Sequence, residues 1–482
     1  MKLFDLMRDI PFSGNLENLE IGQLTSDSRQ ITPGCLFVCI AGARFDGHTA
    51  ARQALEEGAA AVVCQKDLGL DRQLLVEDSR EAYGILCSHF YGDPSQKLKL
   101  IGVTGTNGKT TCTYLMKHIL EAAGKKVGLI GTIHNEIGEM ELPAKNTTPD
   151  PGELHVLFMR MVQAGCEYVV METSSHALDQ KRLAGCRFAV GIFTNLTQDH
   201  LDYHGTMENY YQAKKKLFDL SDTAVVNIDN PYGRRLVQEL SCRVKTFSIH
   251  TDQADYTAKD IRPAVDHNRF TMVGNARIER VNFPMPGEFS VENAMAAGVA
   301  ALTLGLDMQE VCQNLSSCPG IPGRTEVLPT GTDFTVIRDY AHTPDGLEKV
   351  LPALKPFVQK RLMVLFGCAG ERDPSKRIHM AQAVAKYADY IILTSDNPRR
   401  EDPMKIIEDV LPGLAEKSVP YEVIPDRYAA IEWALAHAQP GDLLLLAGKG
   451  HEDYQVLGYG TIHFDEREVV MRLLAQQRKN GK

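Results

Sequence analysis

Along most of the chain, short apolar runs that end in glycine-rich or polar loops alternate with stretches whose apolar residues recur at helical spacing. This is the pattern of an α/β protein with mostly parallel sheets. Leu100, Ile101 and Val103 lead into Gly105-Thr106-Asn107-Gly108-Lys109-Thr110, and then Leu115, Met116, Ile119, Leu120 and Ala123 keep helical spacing until Gly124. The reading is strand, glycine-rich turn, helix. Such a turn presents backbone N–H groups without a Cβ in the way, and the following helix adds positive charge at its start, so Gly105 to Thr111 suit a polyphosphate. Lys109 would reach the β- and γ-phosphates, and the Thr110 hydroxyl would hold Mg²⁺.

Further apolar runs deliver their polar residues in the same way. Cys166–Met171 ends in Glu172-Thr173-Ser174-Ser175-His176, Phe188–Phe193 in Thr194-Asn195 and then Asp199-His200, and Thr223–Ile228 in Asp229-Asn230. In open parallel sheets ligands bind beyond the carboxyl ends of the strands, where these loops would meet. Glu172 is placed either as a second Mg²⁺ ligand or as an exposed carboxylate at a strand end. Lys214-Lys215-Lys216, inside the helical segment Tyr210–Phe218, reads by itself as a solvated face. Residues 243 to 285 lose the helical period, and Val244–Ile249 and Arg269–Val273 suggest the edge of a mixed sheet.

Before the phosphate loop, Cys35–Ile40 and Ala59–Cys64 read as strands around a helix at Ala51–Gly58. Asp27-Ser28-Arg29 reads as a cap or turn. After it, the runs at Leu362–Phe366, Tyr390–Leu393 and Asp442–Leu446 precede Gly367–Asp373, Ser395–Arg399 and Ala447–Asp453, while Arg338–Asp345 crowds titratable groups around a proline turn. The Gly448-Lys449-Gly450 loop lacks the hydroxyl residue after the lysine that would hold Mg²⁺, so it is not assigned to phosphate. Turn-rich Gly92–Lys97 and Cys318–Arg324 divide the chain into domains at 1–97, 98–325 and 326–482.

Composition removes other classes. The 482 residues are 44% apolar and 24% charged, enough for a large core. With 52 Lys and Arg against 62 Asp and Glu, a net charge of −10 and no basic tract with interleaved aromatics, nucleic acid is not an expected partner. No apolar run is long enough for a membrane helix, and the start has no signal-peptide pattern. Eleven scattered cysteines without a Cys-x-x-Cys pair suggest reduced thiols and a cytoplasmic location.

Taken in order, the loops resemble those of the Mur ligase family of cytoplasmic peptidoglycan enzymes, over essentially the whole chain. The motifs that carry the likeness are Gly-Thr-Asn-Gly-Lys-Thr at 105–110, Asn-Thr-Thr-Pro at 146–149, Glu-Thr-Ser-Ser-His at 172–176, Asn-Leu-Thr-Gln-Asp-His-Leu-Asp at 195–202, Ala-Lys-x-x-Leu-Phe at 213–218, Asp-Tyr-Ala-His-Thr-Pro-Asp at 339–345 and Gly-Lys-Gly-His-Glu at 448–452. The likeness is greatest to members that add the third residue of the peptide. It implies three domains: a small N-terminal α/β domain for a UDP-sugar, a central phosphate-loop ATPase and a C-terminal Rossmann-like domain. It also implies ATP, Mg²⁺, a monomer, and a reaction in which the glutamate γ-carboxylate of UDP-MurNAc-L-Ala-D-Glu becomes an acyl phosphate that an amine of meso-diaminopimelate displaces.

The resemblance assigns roles by position. Thr110 and Glu172 would hold one Mg²⁺. Lys214 matches the family's carbamylated lysine, which would help His200 bind a second. Asn293, Arg324, Asp339 and His342 would contact the nucleotide, and Ser28, Asn146, Thr147, Thr148, Ser174, Gln180 and Arg182 the UDP-muramoyl peptide; nothing is carried over to Ala43-Arg44-Phe45. Asp396-Asn397-Pro398-Arg399, helped by Arg372, Gly448 and Glu452, resembles the loop of diaminopimelate users. A planar guanidinium suits the distal carboxylate that lysine lacks. Leaving such arginines unpaired would cost roughly 3–5 kcal/mol against lysine. Alternatives are a lysine-adding relative, a ligase like folylpolyglutamate synthetase, and a nucleotide-driven switch that forms no bond.

Overall fold

The computed structural model describes every residue except Asn15, Ala43, Arg44, Glu416 and Asn480–Lys482, so part of the Ala43–Phe45 loop lies outside the described residues. The chain forms two compact units. The first contains Met1–Leu196, His204–Thr246 and Val299–Leu306, and the second contains Thr197–Tyr203, Phe247–Gly298 and Asp307–Lys482.

The first unit holds two sheets. Gln23–Thr25, Cys35–Val38, Ala61–Cys64 and Gln73–Leu75 make a four-stranded parallel sheet in chain order. In the other sheet, Lys99–Thr104 lies between Tyr168–Glu172 and Phe188–Phe193, with Val127–Ile130 outside the former and Ser221–Asn227 outside the latter, all parallel. Leu100, Ile101, Val103, Val169, Val170 and Met171 are fully buried, as expected of strands covered on both faces. The strand order reverses on either side of Lys99–Thr104. The loop after this strand therefore opens at a topological switch point, flanked by the loops after its two neighbours. An antiparallel pair, His134–Ile137 and Met140–Pro143, extends one side.

In the second unit, Phe247 and Ser248 pair in parallel with Tyr256 and Thr257, and Tyr256–Pro263, Asn268–Gly274 and Arg277–Phe283 continue antiparallel. The mixed edge expected from residues 243 to 285 is present, with two strands that the apolar pattern did not indicate. The larger sheet runs Glu326–Val327, Thr335–Asp339, Leu443–Ala447, Leu362–Phe366, Tyr390–Leu393, Tyr421–Val423 and is parallel after its first, antiparallel pair. Helices Pro344–Leu354, Ser375–Tyr387 and Pro403–Leu414 cover one face through residues such as Leu347, Val384 and Val410. Arg427–His437 and Glu466–Lys479 cover the other through Ile431 and Val470. Pro344, expected in a turn, instead opens a helix whose first turn is capped by Thr343.

None of the eleven cysteines forms a disulfide. Among the described residues, no helix is long and apolar enough to cross a membrane.

Candidate active site

The phosphate loop leaves strand Lys99–Thr104 and ends at Gly108, where helix Lys109–Ala122 begins without a side-chain cap. A helix start favours an anion through its dipole and its first N–H groups. Gly105 has φ +152°, and a Cβ there would lie 1.9 Å from Thr194 Oγ1, so this position needs glycine. The neighbouring strand's loop holds the turn in place. Asn195 accepts from Thr106 N–H through its carbonyl at 2.9 Å and from Asn107 N–H through Oδ1 at 3.0 Å, and Thr194 Oγ1 donates to Asn107 O at 2.6 Å. Asn195 opened a quoted sequence motif and Thr194 directly precedes it, but neither was given a role.

Lys109 and Lys214 converge on one carbonyl. Lys109 Nζ donates to Gly105 O at 2.9 Å and to Thr106 O at 2.8 Å, and Lys214 Nζ donates to Gly105 O at 2.7 Å. Lys214 is only 1% exposed and lies 4.6 Å from the centroid of the Tyr210 ring, whereas Lys215 and Lys216 pair with Glu239 and Asp179 nearer the surface. The solvated-face reading of this triplet therefore fails for its first member. The Lys109 ammonium and a helix start at one loop are suited to a highly charged anion.

Glu172 is 1% exposed rather than displayed at its strand end. Thr110 Oγ1 donates at 3.1 Å to both of its oxygens, and Thr132 supplies an N–H at 2.8 Å and a hydroxyl at 3.2 Å. A hydroxyl beside a carboxylate, all oxygen, is the donor type that Mg²⁺ takes, so these residues fit that ion. From Glu172 a string of polar residues continues. Thr148 Oγ1 donates to Glu172 O at 2.8 Å and accepts from Ser174 N–H at 3.0 Å. Arg182 donates to Thr148 O at 2.9 Å and to Gln180 Oε1 at 2.8 Å, and Thr147 Oγ1 lies 3.1 Å from Thr132 Oγ1. The structure thus brings together Thr147, Thr148, Ser174, Gln180 and Arg182. Asn146 is exposed beside them in the chain, and Ser28 sits half-buried in a short 3₁₀ turn capped by Asp27. The Arg29 side chain, hydrogen-bonded to Asp27, lowers that carboxyl to about 2.

The second unit holds the remaining candidates in two groups. Around Tyr340, which sequence reasoning passed over, the Arg324 guanidinium lies 4.6 Å from the ring centroid, and the His342 and His451 rings lie 4.5 and 4.8 Å away. Asp339 is spent on shaping this turn. Oδ2 accepts from Thr325 N–H at 2.6 Å and Oδ1 from Ala341 N–H at 2.7 Å, while burial pushes its pKa up against the opposing pull of Arg324. Asn293 is buried. His200 adopts φ +53° in the Thr197–Tyr203 segment and, with Asp199, Asp345, Lys376 and His379, lines a cavity of about 620 Å³. Asp199 there bonds Lys376 Nζ at 2.6 Å; despite burial, His200 and Lys376 bring it down to about 2.

The other group is built on the carboxyl ends of Tyr390–Leu393 and Leu443–Ala447. Asp396, Asn397 and Pro398 are buried and Arg399 is half-buried at φ +57°. Its N–H donates to Val456 O at 3.0 Å. Asp396 Oδ1 and Arg399 Nε are buried without a hydrogen-bond partner. Gly448 has φ +112°, and a Cβ there would stand 3.1 Å from Asp396 Oδ2. Glu452 Oε2 accepts from Asn397 Nδ2 and from Lys449 Nζ, each at 2.9 Å. Beneath, Arg427 donates to the last carbonyls before both loops, Ser395 O at 3.1 Å and Ala447 O at 2.8 Å, and to Glu466 at 2.8 Å. Arg372 is exposed and bonds Glu371 O at 3.3 Å. In the sequence Lys449 was weighed only as a phosphate contact and set aside, and Arg427 was not singled out.

A phosphate loop at the switch point of a parallel sheet, with a threonine hydroxyl against a strand-end carboxylate, defines a nucleotide-using α/β enzyme. Family comparison narrows the class. The Mur ligase family catalytic domain matches residues 20–91, the Mur ligase middle domain 103–301 and the Mur ligase glutamate ligase domain 323–450. The chain is 44% identical over 484 residues to UDP-N-acetylmuramoyl-L-alanyl-D-glutamate–2,6-diaminopimelate ligase 1 of Clostridium acetobutylicum, covering 99% of this chain and 100% of the relative. It is 44% identical over 486 residues to the diaminopimelate ligase of Caldanaerobacter subterraneus, again covering 99% and 100%. A solved UDP-N-acetylmuramoyl-L-alanyl-D-glutamate–2,6-diaminopimelate ligase superposes with a TM-score of 0.74 at 33% identity over 99% of this chain and 100% of that one. MurF of Thermotoga maritima, solved with ADP, shares the fold at 19% identity and TM-score 0.62, over 95% and 98% of the two chains. The chain belongs to the Mur ligase family, and it is an ATP-dependent ligase of α/β architecture.

Proposed function

We propose that the protein joins meso-2,6-diaminopimelate to the D-glutamate γ-carboxylate of UDP-MurNAc-L-Ala-D-Glu at the expense of ATP, in the cytoplasm and as a monomer, with domains at 1–97, 98–325 and 326–482 serving the UDP-sugar, the nucleotide and the amino acid. One observation supports the choice of amino acid above the rest. A buried carboxylate oxygen of Asp396 and a buried guanidinium nitrogen of Arg399, both lacking a protein hydrogen-bond partner, stand on the same tetrapeptide. A buried polar atom left without a hydrogen bond is costly, so a ligand that brings an ammonium to one and a carboxylate to the other relieves both. The full-length identity to diaminopimelate ligases points the same way.

The chemistry follows from the electrophile. A carboxylate is not attacked by amines until one oxygen can leave. Its oxygen attacks the ATP γ-phosphorus, ADP departs, and the amine of diaminopimelate adds to the acyl carbon. The tetrahedral intermediate then expels phosphate, the amine having lost a proton. The protein's share is positioning and charge neutralisation. The Gly105–Thr111 loop cradles the phosphates while Lys109 faces their charge. Thr110 and Glu172 would hold one Mg²⁺, and Lys214, as a carbamate, would serve a second with His200. Bound there, Mg²⁺ would offset the charge of the polyphosphate. Thr147, Thr148, Ser174, Gln180, Arg182, Asn146 and Ser28 bind the UDP-dipeptide. Arg324 and His342, gathered on Tyr340 above the turn set by Asp339, contact the nucleotide with Asn293. Arg399, with Arg372, takes the distal carboxylate, and Gly448 and Glu452 receive the distal ammonium.

The test is a product mass measurement with meso-diaminopimelate and lysine offered together to the enzyme, ATP, Mg²⁺ and UDP-MurNAc-L-Ala-D-Glu. A product heavier by a diaminopimelyl residue, formed only when both acceptor and amine are present, is expected. A lysyl product overturns the amino-acid choice, and steady ATP hydrolysis without acceptors overturns the ligase reaction.

A further inference from the structure

Lys449 is fully buried, at 0% exposure, in the loop that follows strand Leu443–Ala447. The absence of a following hydroxyl residue set this Gly-Lys-Gly sequence apart from a phosphate loop, and the structure shows its ammonium spent elsewhere. Nζ donates to Glu452 Oε2 at 2.9 Å and to Asn397 Oδ1 at 3.3 Å, and lies 3.9 Å from Asp396 Oδ1. Asn397 closes the ring of contacts. Its Nδ2 donates to Glu452 Oε2 at 2.9 Å, and its Oδ1 accepts from Val456 N–H at 2.9 Å. Gln455 Nε2 ties the same two segments from the other side, donating to Asp396 O at 2.7 Å.

We infer that Lys449 is a positioning residue for the incoming amino acid: it acts through Asn397, Asp396 and Glu452 and sets the spacing and charge of the subsite they form. The inference rests on the reaction proposed above. The buried Asp396 and the largely covered Glu452 both face the Lys449 ammonium, and two carboxylates gathered on one cation would repel each other without it. Lys449 neutralises one negative charge and leaves the pair one charge in excess, which an ammonium of the substrate can match. It also joins the Asp396–Arg399 segment to the Gly448–Glu452 segment, so that the guanidinium on one keeps a fixed distance from the carboxylate on the other. A subsite for a substrate with charged groups at both ends depends on that distance.

The experiment measures KM and kcat for diaminopimelate and for ATP in the wild-type enzyme, Lys449→Met and Lys449→Arg, with thermal unfolding as a control. Removing one partner of a buried, hydrogen-bonded charge pair should raise the KM for diaminopimelate by about 30-fold or more in Lys449→Met, with the KM for ATP within about threefold. Lys449→Arg keeps the charge and should recover at least about a tenfold part of that loss. A residue that only stabilised the fold would lower the active fraction, and hence kcat, without splitting the two KM values. Should Lys449→Met not fold, Lys449→Gln, which keeps hydrogen-bonding capacity but not the charge, takes its place: a KM for diaminopimelate raised about tenfold or more beside an unshifted KM for ATP supports the role, and equal or absent shifts overturn it. Failure of the wild type to ligate diaminopimelate overturns the proposed reaction. Ligation by the wild type, with an unmoved KM in the variants, overturns the role of Lys449 alone.

Discussion

Replacing His155 by Phe should make the protein more tolerant of acid, by an amount that the burial of this ring sets. His155, in helix Pro151–Gln163, is completely buried, and neither ring nitrogen has a hydrogen-bond partner. The ring packs edge-on against Phe158 with centroids 5.7 Å apart. Burial lowers its pKa from 6.5 to about 4, with Asp93 pulling up and His89 pushing down as smaller influences. In the unfolded chain the ring takes up a proton as pH falls through 6.5, while in the folded protein it stays neutral until pH approaches 4. Stability is therefore unaffected above neutral pH and falls as pH drops through that window. A pKa difference of about 2.5 corresponds to about 3.4 kcal/mol when fully developed, and to about 2 kcal/mol at pH 5. A phenyl ring keeps the planar shape, removes two unsatisfied nitrogens and cannot titrate. Urea unfolding followed by circular dichroism at about pH 7.5 and about pH 5 should show wild type losing about 2 kcal/mol more than His155→Phe between the two. Equal losses in the two proteins would show that the buried imidazole carries no such penalty.

The remaining expectations concern activity. Lys214→Ala should lower kcat by about 100-fold or more, with no recovery in excess bicarbonate, because a carboxylate carried on that side chain cannot be replaced from solution; a near-normal rate removes the carbamate role. Arg399→Ala should raise the KM for diaminopimelate by about 30- to 1000-fold and leave that for ATP nearly unchanged, while equal changes argue against the specificity role. Thr110→Val deletes the hydroxyl that faces both Glu172 oxygens at 3.1 Å and should raise the Mg²⁺ concentration for half-maximal rate. The expected change is about tenfold, and an unchanged Mg²⁺ requirement would remove Thr110 from the metal site.

What the sequence disclosed of the fold was what apolar runs disclose. Strands such as Leu362–Phe366 and Phe188–Phe193 are covered on both faces and read as unbroken apolar segments. Tyr256–Pro263 and Arg277–Phe283 escaped because each buries only part of its length. The first also breaks register between Lys259 and Arg262, with Asp260 at φ +50°, and the second points charged residues outward along an antiparallel ribbon. The hairpin strand His134–Ile137 was hidden differently: it buries Asn135 and Glu136 beside Ile137, so two of its three buried residues are polar.

The site divides along a similar line, between groups that a ligand demands and groups that hold those in place. The glycines, Lys109, Thr110 and the Asp396–Arg399 tetrapeptide carry their chemistry in residue type and spacing, and could be read directly. Lys214 could be read only from the resemblance, although its position held a signal. It precedes Leu217 and Phe218 by three and four residues, which puts it on the buried face of helix Met207–Asp219, while Lys215 and Lys216 turn away from it. Lys449 and Arg427 gave no such sign. Lys449 has Glu452 three residues away, but its other partner, Asn397, and the partners of Arg427, Ser395, Ala447 and Glu466, lie on elements distant in the chain, and only the sheet that carries strands Tyr390–Leu393 and Leu443–Ala447 brings them together. A buried cation is tolerable only where folding has already assembled its counter-charges. The two residues least visible in sequence are for that reason the ones most dependent on the sheet being built as it is.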